Sequence, residues 1–322
     1  MKQFVRILLV LSCLPHCWKV AQAQSYPTRF ITIVVPYAAG GVSDIMVRAV
    51  AQRLSKAWGQ PVVIQDKSGA STQIGAAFVS TAAPDGYTLL ATDRTTFTNS
   101  YLYRKLPYDP PRDFVPVTGL GIIHQALVVH PSFPARTVSD LIQLAKASPG
   151  VLDYATLGIG SSSHLSMEMF ESMTETKLNP VHYKGGAPAL TDVIGGHVPI
   201  VFLSTTLTMQ PAKAGELRIL GLGSTHRLDQ FPNLPTVAET IPGYESTVWL
   251  GLFAPRGTPQ EVVTSLNALV QKILTDPEFR DTFLVPNFCE PLLGSVDQFA
   301  QFVRTDTMKW GVVMRDAKLN LN

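Results

Sequence analysis

Cysteine is scarce in this chain, with three residues among 322. Cys13 and Cys17 lie in a segment that reads as a removable leader, so the mature protein keeps Cys289 alone and forms no internal disulfide. An oxidising compartment permits disulfides without demanding them when the core is large. At 46% hydrophobic residues the chain can bury such a core, most naturally split into two lobes. Lysine and arginine form no cluster and the formal charge is only +2, which disfavours nucleic acid and membrane surfaces as partners. Metal and cofactor signatures are missing as well. His124, His130, His164, His182, His197 and His226 are scattered, without His-x-x-x-His or Cys-x-x-Cys spacing. There is no Walker A loop and no Gly-x-Gly-x-x-Gly turn after the first strand, so no cofactor is expected. No internal repeat, low-complexity tract or long linker interrupts the sequence.

The ends carry an address. Lys2 and Arg6 precede an apolar run, Ile7 to Leu14, and the small-residue stretch Val20-Ala21-Gln22-Ala23 follows. A basic start, a short apolar run and an Ala-x-Ala site describe a secretory signal peptide, with cleavage expected after Ala23. The run is far shorter than the ~20 residues of a membrane span. A lipoprotein is disfavoured because bulky His16 precedes Cys17. The mature protein is therefore expected in the periplasm, beginning at Gln24.

Beyond the leader, strands and helices alternate. Phe30 to Val35 is apolar and β-branched, a buried strand. Ser43 is read as capping a helix with Val47, Val50, Leu54 and Trp58 at helical spacing, ending at Gly59. Strands at 61–65 and 87–92 bracket a helix over 72–82. This β-α-β-α-β order predicts a parallel sheet covered on both faces. The same grammar returns later: helices over 137–150, 162–174 and 187–194, and strands at 153–156, 180–183, 198–203 and 219–223. Thr258-Pro259-Gln260-Glu261 is read as a threonine-capped helix start, with further helices at 277–284 and 295–317. The apolar runs Val115 to Val129 and Thr247 to Ala254 are read as crossings between lobes. The expected fold is therefore α/β: lobe 1 from 24–122 and 247–322, lobe 2 from 123–246. Cys289 is read as a small buried apolar residue in the strand-like run 287–290.

Open α/β sheets bind ligands where a strand ends and a helix begins. The first such segment, Pro36 to Asp44, carries Gly40 and Gly41, which let backbone N–H groups approach a ligand, and it points a helix N-terminus the same way. The second, Thr156 to His164, offers glycines, hydroxyls and another helix start. Two such starts facing one another would hold an anion from both sides, each contributing ~0.3–2 kcal/mol depending on exposure. Candidate binding residues are Tyr37, Ala38, Ala39, Gly40, Gly41 and Asp44 in the first loop. In the second they are Thr156, Gly158, Ser161, Ser162 and Ser163. Thr92 and Thr95, Lys184, and Ser204 follow three other strands. Ser163-His164 does not make a hydrolase: adjacent residues at a helix start diverge, and there is no Gly-x-Ser-x-Gly elbow. His164 is read as a structural residue, and the chain is not expected to be an enzyme.

These residues resemble a known family. Tyr26-Pro27, Pro36-Tyr37-x-x-Gly40-Gly41-x-x-Asp44, Gly59-Gln60-Pro61-Val62-Val63, Ala83 to Leu90, Leu106 to Pro110, Ser161 to Leu165, Tyr183 to Asp192 and Asn233 to Glu239 are similar, in order, to the Bug family of extracytoplasmic solute receptors, related to the receptor component of tripartite tricarboxylate transporters. The resemblance implies a type II periplasmic-binding-protein fold, two α/β lobes joined by two crossing strands. It implies capture of a small organic acid, amino acid or aromatic carboxylate through backbone groups and bridging waters, by a monomer. A membrane permease is the implied partner, or alternatively a sensor kinase that reads the closed form. Ala38-Ala39 stand where prolines are common, Val42 where a third glycine is usual, and Leu203-Ser204 where the strand commonly ends in an acidic residue and Asn. Those departures point to a less polar, aromatic or monocarboxylic ligand.

Overall fold

A computed structural model describes residues 26–319. The leader and Ala23 cleavage site expected from the sequence lie outside the described residues. Ten strands are seen: β1 (Ile31–Val35), β2 (Val62–Asp66), β3 (Thr88–Thr92), β4 (Phe114–Val129), β5 (Asp153–Thr156), β6 (Asn179–His182), β7 (Ile200–Ser204), β8 (Arg218–Leu222), β9 (Thr247–Pro255) and β10 (Cys289–Glu290). The helices are α1 (Val42–Trp58), α2 (Gln73–Ser80), α3 (Arg94–Leu102), α4 (Pro110–Asp113), α5 (Val138–Ala147), α6 (Ser162–Thr174), α7 (Gly186–Ile194), α8 (Thr205–Lys213), α9 (Gln260–Leu274), α10 (Pro277–Phe279) and α11 (Val296–Asp316). A π-turn, Arg280–Leu284, continues α10. Among the described residues no helix is long and apolar enough to cross a membrane.

The strands run in the order β2-β1-β3-β9-β4-β7-β5-β6. β1 lies parallel between β2 and β3, with Ile33 opposite Ile64 and Leu89. β5 is parallel to β6 and β7. The long β4 joins the two groups. Phe114 to His124 pair antiparallel with β9, and from Gln125 onward the strand changes partners to β7 and β8. The result is a mixed sheet with two parallel ends and antiparallel strands between them.

Apolar residues on both faces of the central strands explain why they lie inside. On β1, Ile31, Ile33 and Val35 pack with Val47, Val50 and Leu54 of α1 and Val263 and Leu266 of α9, while Val34 turns the opposite way toward Phe97, Trp249, Phe253 and Phe299. On β4, Leu127 and Val129 meet Leu141, Tyr154 and Phe170, whereas Ala126 and Val128 meet Val201 and Met209. Successive side chains of a strand point to opposite faces, so one strand feeds two cores. The terminal helix α11 joins cores as well. Its Phe299 and Val303 enter the aromatic cluster, and its Trp310 and Met314 enter the core containing Tyr154 and Phe170.

Local starts follow sequence chemistry, with three corrections. Thr137 and Asp140 form a capping box at the start of α5, and Ser295 caps α11 with Gln298. Ser43, read as a cap, is already helical: Gly41 holds the cap position and no side chain caps α1. Thr258 is not a cap either, because its hydroxyl donates to Pro255 O (2.8 Å) and Pro259 holds the cap position of α9. The segment after β3, for which the sequence predicts no helix, is the helix α3, capped by Asp93, which accepts from Thr95 N–H (2.7 Å). Its β-branched threonines are poor helix formers, so packing rather than propensity holds it. Cys289 is buried on β10, which pushes its thiol up to about 12, as expected for an inert apolar residue.

An exposed capping box predicts an acid-sensitive increment of stability. The guanidinium of Arg227 grips Glu239 twice (2.7 Å each), and the carboxylate also accepts from Thr236 N–H. Together these lower the Glu239 carboxyl from 4.5 to about 2. A folded value below the unfolded one contributes stability above pH 4.5, and the contribution fades as pH falls from 4.5 toward 2. Melting curves of wild type and Glu239→Gln should therefore differ near neutrality and converge across that window. Parallel curves would refute the linkage.

Candidate functional site

Burial of β1 leaves the next residues at its C-terminal end, where Ala38, Ala39, Gly40 and Gly41 are exposed. Gly40 adopts φ +78°, a left-handed turn suited to glycine. Asp44 sits one turn into α1 and faces inward. It accepts from Gly40 N–H (2.8 Å) and pairs with Arg48 Nε (2.6 Å). Its desolvation by burial favours the neutral acid, but the bonds to Arg48 and Gly40 prevail and hold the carboxyl below its ordinary value. Asp44 is thus committed to shaping the loop, and its own charge faces Arg48. Tyr37 closes the loop's base, its hydroxyl 3.5 Å from Thr92 Oγ1. Burial, with Asp93 nearby, raises its phenol well above the usual range, so it stays a neutral hydrogen-bonding group.

The second loop is tied down by its own hydroxyls. Thr156 Oγ1 accepts from Gly158 N–H (3.1 Å) and lies 2.7 Å from His182 Nδ1. Ser163 is fully buried, and its oxygen accepts from Leu157 N–H (2.8 Å). Ser161 caps α6, accepting from His164 N–H, and touches Ser163 Oγ at 3.1 Å. His164 Nδ1 accepts from Gly160 N–H (3.0 Å), and its Nε2 lies 3.3 Å from Glu168. The ring therefore braces the loop and is no base for Ser163. Ser161 and Ser162 remain half-buried at the N-terminus of α6.

Gln125 marks the point where β4 changes partners. Its Nε2 donates to Ser162 Oγ (3.4 Å), while its Oε1 accepts from Ser166 (2.8 Å) and Ser246 (3.0 Å). Opposite it in register stands Ser204, whose buried hydroxyl has no hydrogen-bond partner among the described residues. Leaving such a group unpaired costs about 1–3 kcal/mol, which makes Ser204 a place for a ligand atom or a water. Thr95 is half-buried on α3, and Lys184 is exposed on the turn before α7.

Sequence reasoning missed the element that gathers these parts. Helix α3 starts beside the first loop through Thr92, whose Oγ1 lies 3.5 Å from the Tyr37 hydroxyl and 2.6 Å from Thr96 Oγ1. It ends against the second, where a β-carbon on Gly160 would stand 2.2 Å from Leu102. Between those ends it holds a third segment. Thr96 donates to Thr72 Oγ1 (3.0 Å), and Asn99 Nδ2 donates to Ser71 O (2.6 Å). Ala70, Ser71 and Thr72 all adopt positive φ, at +46°, +50° and +74°. Each such residue costs roughly 1–2 kcal/mol when it carries a side chain. The residue types at 70–72 gave no sign of this, since alanine, serine and threonine ordinarily avoid that region. Arg94, the cation of this stretch, is not in the loops; it is buried against Asp306 of α11 and over Trp310.

This architecture has known relatives. The sequence profile of the tripartite tricarboxylate transporter family receptor matches residues 46–319. Protein BugT of Bordetella pertussis is 32% identical over 302 residues, covering 93% of this chain and 92% of its own. The R. palustris protein Rpa4515, solved with adipate, is 37% identical with a TM-score of 0.86, covering 92% of this chain and all of that one. MatC of Rhodopseudomonas palustris, solved with bound malate, is 30% identical with a TM-score of 0.80, covering 89% of this chain and 99% of its own. The periplasmic binding protein BugD superposes with a TM-score of 0.82 at 30% identity, covering 92% of this chain and all of its own. These relatives are solute-binding receptors, not enzymes, in keeping with a Ser163 and His164 that are fully occupied in holding their loop. A family profile over most of the chain, and a shared fold at 30% identity and above, place it beyond coincidence: the chain belongs to the tripartite tricarboxylate transporter receptor family, whose Bug members were the resemblance first seen in its loops.

Proposed function

We propose that this protein is a periplasmic receptor that captures a small dicarboxylate in a cleft between two lobes, residues 24–122 with 247–322 and residues 123–246, and passes it to a tripartite-type permease. The observation that carries the reading is the pair of strand-to-helix loops, 36–44 and 156–164, the first reaching α3 through Tyr37 and Thr92 and the second through Gly160 and Leu102. Each ends in a helix start that favours negative charge. Backbone N–H groups of the first loop, the hydroxyls of Ser161 and Ser162 and the unpartnered Ser204 supply hydrogen bonds without an arginine. Adipate and malate in two relatives support a dicarboxylate over the aromatic acid suggested by Ala38-Ala39 and Ser204.

Thermal unfolding of residues 24–322 with adipate, malate, amino acids and aromatic acids tests this. A ligand at ~100 times its dissociation constant should add about 2.7 kcal/mol of stability. The expected result is a shift with dicarboxylates and none with aromatic acids. Stabilisation by aromatic acids alone would overturn the dicarboxylate assignment, and stabilisation by none would overturn the receptor for carboxylates.

A further inference from the structure

Positive φ at three successive side-chain-bearing residues is strain, and strain of this kind persists only where surrounding structure over-determines it. Here the surroundings are named. Asn99, fully buried on α3, holds Ser71 O and Tyr108 OH with its Nδ2, while its Oδ1 has no hydrogen-bond partner among the described residues. Thr96 and Thr92 continue the hydroxyl chain from Thr72 to Tyr37 of the first loop. Gly75, in the first turn of α2, lies against Pro36, where a β-carbon would come within 2.8 Å of the proline ring. On the other side, Tyr103 OH lies 3.5 Å from Ser71 Oγ, and its neighbour Leu102 rests on Gly160 of the second loop. The turn is therefore flanked by both ligand loops, with Ala70 and Ser71 exposed between them.

Resting on the dicarboxylate reading above, we infer that the left-handed turn Gly69–Thr72 is a third wall of the ligand site and sets how long a carboxylate chain the site admits, with Asn99 as its positioning residue. Glycine would occupy the same backbone at lower strain and leave more room. The side chain at 71 therefore narrows the space between the loops, and Asn99 keeps it there. A wall built this way discriminates by chain length, since one methylene in a fitted pocket changes affinity by tenfold or more.

The test is the ratio of adipate to malate affinity by calorimetry in the full mature chain. Ser71→Gly should move the ratio toward adipate, and Ser71→Asn, which tolerates positive φ but is bulkier, toward malate, each by about tenfold. Both changes lie at an exposed position, so folding is preserved and checked by melting temperature. In an Asn99→Ala background, the ratio should lose its dependence on residue 71, a coupling that a merely structural role would not produce. Binding of both acids with an unchanged ratio in Ser71→Gly and Ser71→Asn overturns this inference alone. Failure of the wild type to bind either acid overturns the dicarboxylate reading together with it.

Discussion

Asp306→Ala is expected to destabilise the protein by about 3–5 kcal/mol, the cost of leaving a buried charge without its partner. Asp306 lies on α11 under a layer of aromatic rings. One carboxylate oxygen accepts from Trp249 Nε1 (2.6 Å) and lies 3.5 Å from Arg94 Nε; the other accepts from Trp310 Nε1 (3.1 Å). Arg94 is 2% exposed, stacks 4.2 Å over Trp310 and donates to Thr247 O at the start of β9. Removing the carboxylate strands a guanidinium and two indole N–H groups away from water. For a chain of this size the loss corresponds to a melting temperature lower by roughly 6–10 °C. The double variant Arg94→Met/Asp306→Leu should recover part of it, because replacing both members of a buried pair with apolar groups is often neutral, while the indole N–H groups of Trp249 and Trp310 stay unpaired. Calorimetric melting of the single variants Arg94→Met and Asp306→Leu beside the double variant measures the coupling. An additive double variant would mean that the two residues act independently.

Gly160→Val should cost ligand affinity far more than loop position alone suggests, by about a hundredfold. Gly160 adopts φ +73°, which disfavours a β-branched residue, and its missing β-carbon leaves room for Leu102. A valine there must push the second loop away from α3 or twist it out of the left-handed region. Either shift moves Ser161, which caps α6, and Ser162 at the start of that helix, both in the proposed site, and misplacement of about 1 Å is enough to lose such a factor. Adding Leu102→Ala should relieve the clash but leave the backbone strain, so binding should return only in part. Titration with adipate or malate distinguishes these outcomes, and undiminished affinity in Gly160→Val would show that Gly160 does not seat the loop.

Much of this molecule was legible beforehand. The period-two and helical patterns located β5 and α6 to the residue, because Asp153 to Thr156 is bounded by turns and Ser161-Ser162 precedes a helical run. The segments 115–129 and 247–254 read as apolar runs because β4 and β9 are largely buried on both faces. Helix α3 was missed for the opposite reason. Its Thr95, Thr96 and Thr98 carry weak helix propensity, and the contacts that stabilise it, with α11 and the 69–72 turn, are distant in sequence. Ser43 and Thr258 were credited as caps on residue type, but the backbone placed Gly41 and Pro259 at those positions.

Residue order alone was enough to determine the alternation of strands and helices, the two glycine-bearing loops at strand ends and the family to which they belong. These are local properties: side-chain period, turn chemistry and short motifs act within a few residues of one another. Tertiary structure decided that Asp44 turns inward to its own loop, that His164 braces Gly160, that Arg94 is buried against Asp306, and that residues 70–72 form a strained turn. Each of those outcomes depends on which of several possible partners comes within about 3 Å, and that is settled only when elements far apart in the chain pack together.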